Sequence, residues 1–450
     1  MLHDWTRGDF PYRDILELNF FTPYLPAYLL GTTLAFIVPA VTAAKILWSL
    51  GAIGTVYATT RIRARLGGDP LWDWLILPGL FGMTFVWGLL TFQVTVPLGL
   101  LGLEYWIVYL RAPTTRRAAA FGSALVALFF CHSLVTAWLM SVAGLMHLLH
   151  KPTWSGTRKR AILVGLPLLA PLPVVALWLA FVRQVSQLHA PIVWGSLEER
   201  TVLFFTQWLG TGGGVAATAL FGGTLLLSPF VAGARIHPDA VRRAPLVVTV
   251  GIIMLVPDFL MGNAFTYNRF FTLLGPSFVI ALASAHERSA RELRMRILMP
   301  GIAIGWLLLV SIQMVAFDRE QRGFFRVLNA MQPDAHALAF MQDASSLAMQ
   351  NSQTYLHFGA WYQAEKGGLA QFSFAAFLPT IVHFRPTYRG VVPESFAVRP
   401  SLDFVERHGR EFDYVLVRTT VGGQQPLRGS PFREVAHDGQ WWLFTTDRSR

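Results

Sequence analysis

Carboxylates and arginines gather in three polar segments of this sequence, each beside a long apolar run. The first segment opens the chain and carries Asp4, Asp9, Asp14 and Glu17 together with Arg13. A carboxylate can act as a general base and take the proton of an attacking hydroxyl or amine. An arginine fork pairs with two phosphate oxygens and stabilises the charge on a leaving phosphate. The combination favours transfer of a group from a lipid-linked phosphate to a nucleophile.

The other two segments add residues of the same types, and a simpler interpretation stands beside each candidate. They carry His189, Glu198, Glu199 and Arg200 near 184–200, and Asp258, Asn263, Tyr267, Asn268 and Arg269 near 258–269. Arg269 is either a phosphate ligand or a side chain that extends to the lipid headgroups. His132 lies between two short apolar runs and is either a substrate-binding residue or a hydrogen-bonded turn residue. The opening carboxylates are also compatible with a solvated tail or with capping at the membrane surface.

The composition is that of a protein that crosses a membrane several times. Of the 450 residues, 53% are hydrophobic and only 14% are charged, whereas soluble domains have about 25% charged residues. The net charge of +11 comes from short basic clusters between apolar runs, near 61–65, 111–117, 151–160, 235–243 and 288–296. Such clusters are typical of cytoplasmic loops. They indicate a lipid bilayer as partner, and not a nucleic acid.

The apolar runs predict an all-α polytopic domain with about ten transmembrane helices. The runs lie near 40–60, 71–89, 92–110, 161–183, 212–233, 245–260, 268–286 and 297–317, and a longer one at 118–150. Because basic clusters flank 118–150 on both sides, we expect two short helices that turn near Cys131-His132-Ser133. Placing every basic cluster in the cytoplasm puts the opening segment and everything after residue 318 at the outer face of the inner (plasma) membrane.

The predicted domains are 1–38, 39–317 and 318–450. The first is an extracytoplasmic loop that ends in a membrane-lying helix over Thr22–Val38, with a short crossing as the alternative. The last is a small extracytoplasmic α/β domain, in which 335–341 and 413–419 indicate strands. Asp438-Gly439, between two alternating segments, predicts a β-hairpin. An amphipathic helix is expected near 324–331.

The sequence carries no metal or cofactor motif. It has no P-loop, no HExxH and no CxxC. Its one cysteine, Cys131, excludes an intramolecular disulfide. We therefore expect no cofactor; no motif indicates a metal, while the acidic segments leave a divalent metal ion open.

Three stretches carry a family resemblance. They are GDFPYRDILELNFFTPYLPAYLL at 8–30, FVWGLLTFQVTVPLGLL at 85–101 and YNRFFTLLGPSFVIALA at 267–283. They are similar to the first external loop, a turn between spans and the start of a later span in the C-class of integral-membrane glycosyltransferases. That superfamily includes protein O-mannosyltransferases and the aminoarabinose transferase of lipid A.

The resemblance implies an inverting transferase that moves a sugar from a polyprenyl phosphate to a lipid, glycan or protein acceptor at the outer face. It implies Asp14 as catalytic carboxylate, with Asp4, Asp9 and Glu17 as further candidates. It implies Arg13 beside that carboxylate and Arg269 as a phosphate contact; with Tyr267, Asn268 and His132 from the polar segments, these are the predicted substrate-binding residues.

The chain departs from the family pattern at the acidic Asp-Glu pair of that loop, which would fall before residue 1. This departure leaves open a chain shortened at its N-terminus, a replacement base in the opening segment, or a non-catalytic subunit of envelope assembly. A transporter or flippase is the remaining alternative.

Overall fold

The computed structural model describes residues 2–149, 158–185, 192–210, 214–260, 264–283, 290–371, 373, 375, 380–385, 387–388, 400–427 and 431–446. These residues divide into two compact units. The helical unit is Phe20–Val310, and the α/β unit combines Met1–Asn19 with Ser311–Arg450. Each unit is described by itself.

The α-helices follow one another along the chain from Leu2 to His408. In chain order they are α1 (Leu2–Arg7), α2 (Leu25–Ala35), α3 (Ala40–Arg65), α4 (Ile76–Gly79), α5 (Met83–Val86), α6 (Leu90–Arg111), α7 (Thr115–Cys131), α8 (Ser133–Leu149), α9 (Arg158–Gly165), α10 (Leu172–Val185), α11 (Leu197–Val202), α12 (Phe204–Leu209), α13 (Val215–Val231), α14 (Ala240–Leu255), α15 (Phe271–Ala281), α16 (Ala290–Glu320), α17 (Arg322–Asn329), α18 (Ala360–Lys366) and α19 (Leu402–His408). The strands are β1 (Leu16–Leu18), β2 (Arg235–Ile236), β3 (Leu282–Ala283), β4 (His336–Met341), β5 (Leu369–Ala370), β6 (Val382–Phe384), β7 (Tyr414–Arg418), β8 (Phe432–Asp438) and β9 (Trp441–Thr446).

Helix α6 lies at the centre of the helical unit and packs against α3, α7 and α8. Two glycines of α3 permit the close approach of α6. A Cβ on Gly51 would lie 2.8 Å from the carbonyl oxygen of Gln93, and one on Gly54 would lie 3.0 Å from Pro97. Small residues of this kind let helix backbones approach closely where helices pack within a membrane.

The predicted turn in 118–150 is confirmed. Helix α7 ends at Cys131, α8 begins at Ser133, and His132 between them has an extended backbone. Thr95 near the start of α6 donates to the carbonyl of Cys131, while Gly99 further along α6 faces Val135 of α8. Helix α8 therefore runs in the direction of α6, and α7 returns in the opposite direction.

The prediction of about ten transmembrane helices is wrong. Among the described residues, four helical stretches are long and apolar enough to cross a membrane: α3, α6, Ile162–Val182, which runs through α9, a 3-10 helix and α10, and Leu293–Asn329, which runs through α16 and α17. The other runs form shorter helices. The predicted span at 71–89, for example, is divided into a 3-10 helix, α4 and α5, with Pro78, Gly79 and Gly82 at or near the breaks.

Arginines gather at one end of the helical unit and are held there by carboxylates and carbonyls. Arg61 and Arg65 of α3 both form ion pairs with the buried Glu104 of α6, at 3.0 and 2.8 Å. Arg242, at the start of α14, donates to the carbonyls of Leu66 and Ile280. Because Ile280 lies at the end of α15, the start of α15 and the end of α14 lie at the opposite end of the unit.

The α/β unit contains a five-stranded sheet in the order β5-β4-β7-β9-β8. Strands β5, β4 and β7 are parallel, and β9 and β8 continue the sheet antiparallel. One face packs on α17 through Phe324 and Trp441, and the other packs on Val405 of α19. The predicted hairpin is confirmed, with Gly439 at a φ of +60° in the turn, and so is the amphipathic helix, as α17.

Arg418 lies buried at the end of β7 and connects three parts of the α/β unit. Its guanidinium donates to the carbonyl of Asp343 and to Oε1 of Gln440, and it lies 4.0 Å from the centre of the Tyr355 ring. Glu320, the last residue of α16, lies 3.8 Å away. This contact joins the end of the long helix to the sheet.

Candidate functional site

Helix α11 carries Glu198 and Glu199, the acidic residues of the second polar segment. Ser196 caps this helix, because its hydroxyl accepts from the backbone N–H of Glu199 at 3.0 Å. The helix is six residues long and directs Arg200 into the unit, where the side chain is buried. His189 and Asn263, which were candidates from the sequence, lie outside the described residues.

Arg200 connects the second and third polar segments. It donates to the carbonyls of Ile253 and Val256, both at 2.6 Å, at the end of α14. These carbonyls have no partner within the helix, and a cation at a helix C-terminus is favourable. The guanidinium lies 4.0 Å from the centre of the Tyr267 ring. Its donors are therefore engaged by the protein itself.

Asp258 lies just beyond α14, against the second polar segment. Its backbone N–H donates to the carbonyl of Val193 at 2.9 Å, and Val193 also pairs with Phe259. Burial raises the pKa of the Asp258 carboxyl, and the charge of Glu199 raises it further, while Arg200 acts in the opposite direction. Carboxylate Oδ1 of Asp258 is buried without a hydrogen-bond partner in the described chain. Such a carboxyl is a candidate proton acceptor.

Arg269 lies in a short 3-10 helix that precedes α15, and only 7% of it is exposed. One terminal nitrogen donates to the carbonyl of Ala264 at 3.0 Å, and the side chain also hydrogen-bonds to Tyr24. Its Nε is buried without a partner, and within the described ranges no carboxylate acts on it. Buried charges are usually paired. This guanidinium therefore has spare capacity for an anion.

His132 meets Arg269 in an arrangement that lacks an acceptor. Its ring is fully buried, with the rings of Tyr24 and Phe92 each 5.2 Å away. The N–H of Leu134 points at Nδ1 from 3.3 Å, and a terminal nitrogen of Arg269 lies 3.4 Å from Nε2. A neutral imidazole accepts at one nitrogen and donates at the other. In either tautomer one ring N–H faces another donor, either Leu134 at Nδ1 or Arg269 at Nε2. With the proton on Nε2, an anion oxygen that accepts from both Nε2 and Arg269 would resolve the conflict.

The structure brings Tyr267, Asn268, Arg269 and His132 into one region of the helical unit. Asn268 is buried, and its Oδ1 has no partner among the described residues. This region lies at the end opposite the arginine cluster, because it is formed at the end of α14 and the start of α15. Tyr24 was not among the candidates from the sequence, since an aromatic residue in a proline-flanked helix start gives no chemical signal.

The opening carboxylates and Arg13 belong to the α/β unit. Strand β1 pairs with β6, with Leu16 opposite Phe384. Glu17 lies 3.5 Å from His383 and 3.7 Å from Arg385. Arg13 donates to the carbonyl of Trp5.

Asp4 contacts its neighbour His3 at 2.9 Å, and Asp9 and Asp14 are exposed. The catalytic role of these four carboxylates stays a prediction. No group of three or more His, Cys, Asp and Glu in the described parts of the chain could hold a metal ion.

Comparison with known protein families, with curated proteins and with solved structures finds no match for this chain.

Proposed function

We propose that this chain is a membrane glycosyltransferase that uses a polyprenyl-phosphate sugar as donor. The observation that carries the proposal is Arg269, a buried guanidinium with an unpartnered Nε and no carboxylate partner in the described chain. A phosphate is the natural ligand of such a fork. The four long apolar helices supply the membrane setting in which a lipid-linked phosphate is available.

Arg269 and His132 would bind the phosphate of the donor. One phosphate oxygen would accept from Nε of Arg269, which has no partner in the described chain. A phosphate oxygen would also accept from the terminal nitrogen of Arg269 and from Nε2 of His132, which now face each other. Helix α2 places Tyr24 over this site, and its Tyr28, Leu29 and Leu30 are exposed. The lipid would enter beside α2, with its chain along that exposed surface.

Asp258 would act as the general base. The acceptor hydroxyl or amine attacks the anomeric carbon, the bond from that carbon to the phosphate oxygen breaks, and the attacking group loses its proton to the carboxylate. Polyprenyl phosphate leaves with the negative charge, which Arg269 stabilises. Burial raises the pKa of Asp258, which makes its carboxylate a stronger proton acceptor than an exposed aspartate. We place this end at the outer face, because the arginine cluster at the other end fits the cytoplasmic side.

The experiment uses the full chain in nanodiscs with a radiolabelled polyprenyl-phosphate sugar and a membrane extract as the acceptor source. Release of polyprenyl phosphate is measured for wild type, Arg269→Lys and Asp258→Asn. Matched controls are Arg243→Lys, an exposed arginine in the first turn of α14, and Glu198→Gln, an exposed carboxylate of α11.

We expect Asp258→Asn to lower release by 10²- to 10⁴-fold, the usual contribution of a general base. Arg269→Lys should also lower it, because a lysine cannot pair bidentately with phosphate. Asp14→Asn tests the base that the sequence resemblance implied. If only Asp14→Asn abolishes release, the base lies in the α/β unit and our assignment of Asp258 is wrong. If wild type releases nothing, the transferase proposal fails, and a transporter or a non-catalytic assembly subunit takes its place.

A further inference from the structure

An apolar groove follows α7 on the side where α9 and the 3-10 helix Leu166–Leu169 pack against it. Its volume is about 740 Å³. Residues Thr115, Gly122 and Val126 line one wall, and Leu166 and Ala170 line the other. The groove is distinct from the Arg269 site, because α7 carries it away from the turn at His132.

Small side chains keep the groove open. A Cβ on Gly122 would lie 3.2 Å from the Cβ of Ala170, so a larger side chain there would close the space. Ala119 also lines the groove and is exposed. Leu166 and Leu169 are more than half exposed beside it. The surface is therefore shaped for a slender apolar chain.

The length of the groove equals about one leaflet of a bilayer. From Thr115 to Val126 the helix advances 11 residues (126 minus 115), which is about 16 Å at 1.5 Å per residue. The hydrocarbon core of a bilayer is about 30 Å thick. A groove of this length accommodates one acyl chain from the headgroup region to the bilayer centre.

Positive charge lies at the end of the groove where α7 begins. Arg116 is exposed at the second position of α7, and Arg117 follows it, donating to the carbonyl of Ala112. Arg111, exposed, ends the preceding helix α6. The sequence from 112 to 126 contains no acidic residue. The N-terminus of α7 adds a partial positive charge of its own.

We propose that this groove binds an anionic glycerophospholipid, with one acyl chain between α7 and the 3-10 helix and the headgroup phosphate on Arg116 and Arg117. The arginines at the start of α7 match the negative charge of a lipid phosphate, and the groove is as long as one leaflet. Both features favour a bilayer lipid over a segment of another protein. The proposal does not depend on the proposed transferase activity, because it concerns a different part of the helical unit.

The test measures lipid retained by the purified full chain, by native mass spectrometry after incubation with phosphatidylglycerol or phosphatidylcholine vesicles of identical acyl chains. Ala119→Phe fills the groove, and Ala120→Phe is its matched control, because Ala120 is exposed on α7 and does not line the groove. Arg116→Gln with Arg117→Gln removes the charge at the start of α7. Arg243→Gln is the control for loss of an exposed arginine elsewhere.

Wild type should retain phosphatidylglycerol in preference to phosphatidylcholine. Each arginine near an anionic lipid contributes roughly fivefold, so the double arginine variant should lose about 25-fold of this preference and Arg243→Gln should lose little. Ala119→Phe should reduce retention of both lipids, and Ala120→Phe should not. Equal retention of the two lipids by wild type, or equal behaviour of Ala119→Phe and Ala120→Phe, would overturn the proposal.

Discussion

Arg269→Met should separate ligand binding from stability. Arg269 makes two side-chain hydrogen bonds, to Ala264 and Tyr24, and each charged bond contributes about 1.5–3 kcal/mol. Methionine gives up these bonds, but it also removes the penalty of several kcal/mol for burying a guanidinium. Among the described residues no carboxylate acts on Arg269, so its removal leaves no buried counter-charge without a partner, which is the costly case. We therefore expect the ligand-free variant to unfold at the same temperature as wild type or at a higher one.

Binding of polyprenyl phosphate should respond in the opposite way. Loss of one charged hydrogen bond to the phosphate, about 1.5–3 kcal/mol, weakens binding roughly 10- to 150-fold. At a lipid concentration of 100 Kd for wild type, the ligand stabilises wild type by about 2.7 kcal/mol. The same concentration should stabilise Arg269→Met by only about 0.3–1.4 kcal/mol.

The assay is thermal unfolding in nanodiscs, followed by tryptophan fluorescence, with polyprenyl phosphate and with neutral polyprenol as the control lipid. Arg200→Met is the matched control, because Arg200 is equally buried but its donors are engaged by the carbonyls of Ile253 and Val256. Arg200→Met leaves the carbonyls of Ile253 and Val256 without their charged donors, at about 1–3 kcal/mol each, whereas Arg269→Met leaves only that of Ala264, so Arg200→Met should unfold at a lower temperature than Arg269→Met. If Arg269→Met is destabilised as much as Arg200→Met and retains the full shift with polyprenyl phosphate, Arg269 is a structural residue and the argument from its unpartnered Nε is refuted.

Three further predictions concern ionisable residues. The folded-state pKa of Asp258 is raised above 3.8, so its contribution to stability is fully present below pH 3.8 and is lost as the pH rises through the folded pKa. Asp258→Asn should therefore be more stable than wild type at neutral pH, with no difference in acid. Chemical denaturation across that pH range measures this, and a variant less stable than wild type at pH 7 would contradict it. Burial lowers the pKa of His357 from 6.5 to about 4, so its contribution to stability is present above pH 6.5 and is lost as the pH falls towards 4. Amide hydrogen exchange of the α/β unit in the full chain should therefore accelerate less in acid for His357→Gln than for wild type. Arg418→Met leaves Asp343 and Glu320 without their cation, and removal of one partner from a buried ion pair costs about 3–5 kcal/mol. We expect faster amide hydrogen exchange in β4 and β7. Unchanged exchange would show that these ion pairs contribute little to stability.

Local patterns predicted the elements whose signals lie within a few residues of one another. The turn at Asp438-Gly439 and the break at His132 both follow from their immediate neighbours, and both are confirmed. The predicted number of membrane helices was wrong because hydropathy registers apolar content and not helix length; at 71–89 the helix breaks near Pro78, Gly79 and Gly82. Apolar character alone does not distinguish a spanning helix from a short buried one.

The candidate site was predictable in its residue types and not in its pairings. Sequence reasoning named Arg269 and His132 separately, but their contact joins residues 137 positions apart. The opening carboxylates were grouped with the other external segments by composition, and the structure assigns them to the α/β unit through β1 and β6. No local rule specifies which strand a three-residue segment will pair with.

The pairing of β1 with β6 has a consequence for how the protein is made. Leu18 and Val382 are partners in this sheet, so 364 residues (382 minus 18) must be added after Leu18 before the second partner exists. At 5–20 residues per second, the ribosome takes about 20–70 s to deliver the second strand. During that time the first strand has no partner, while the apolar helices between them are being inserted. Completion of the α/β unit therefore follows synthesis of the whole helical unit, and a chaperone that covers residues 10–18 during this interval would be expected to raise the yield of folded protein.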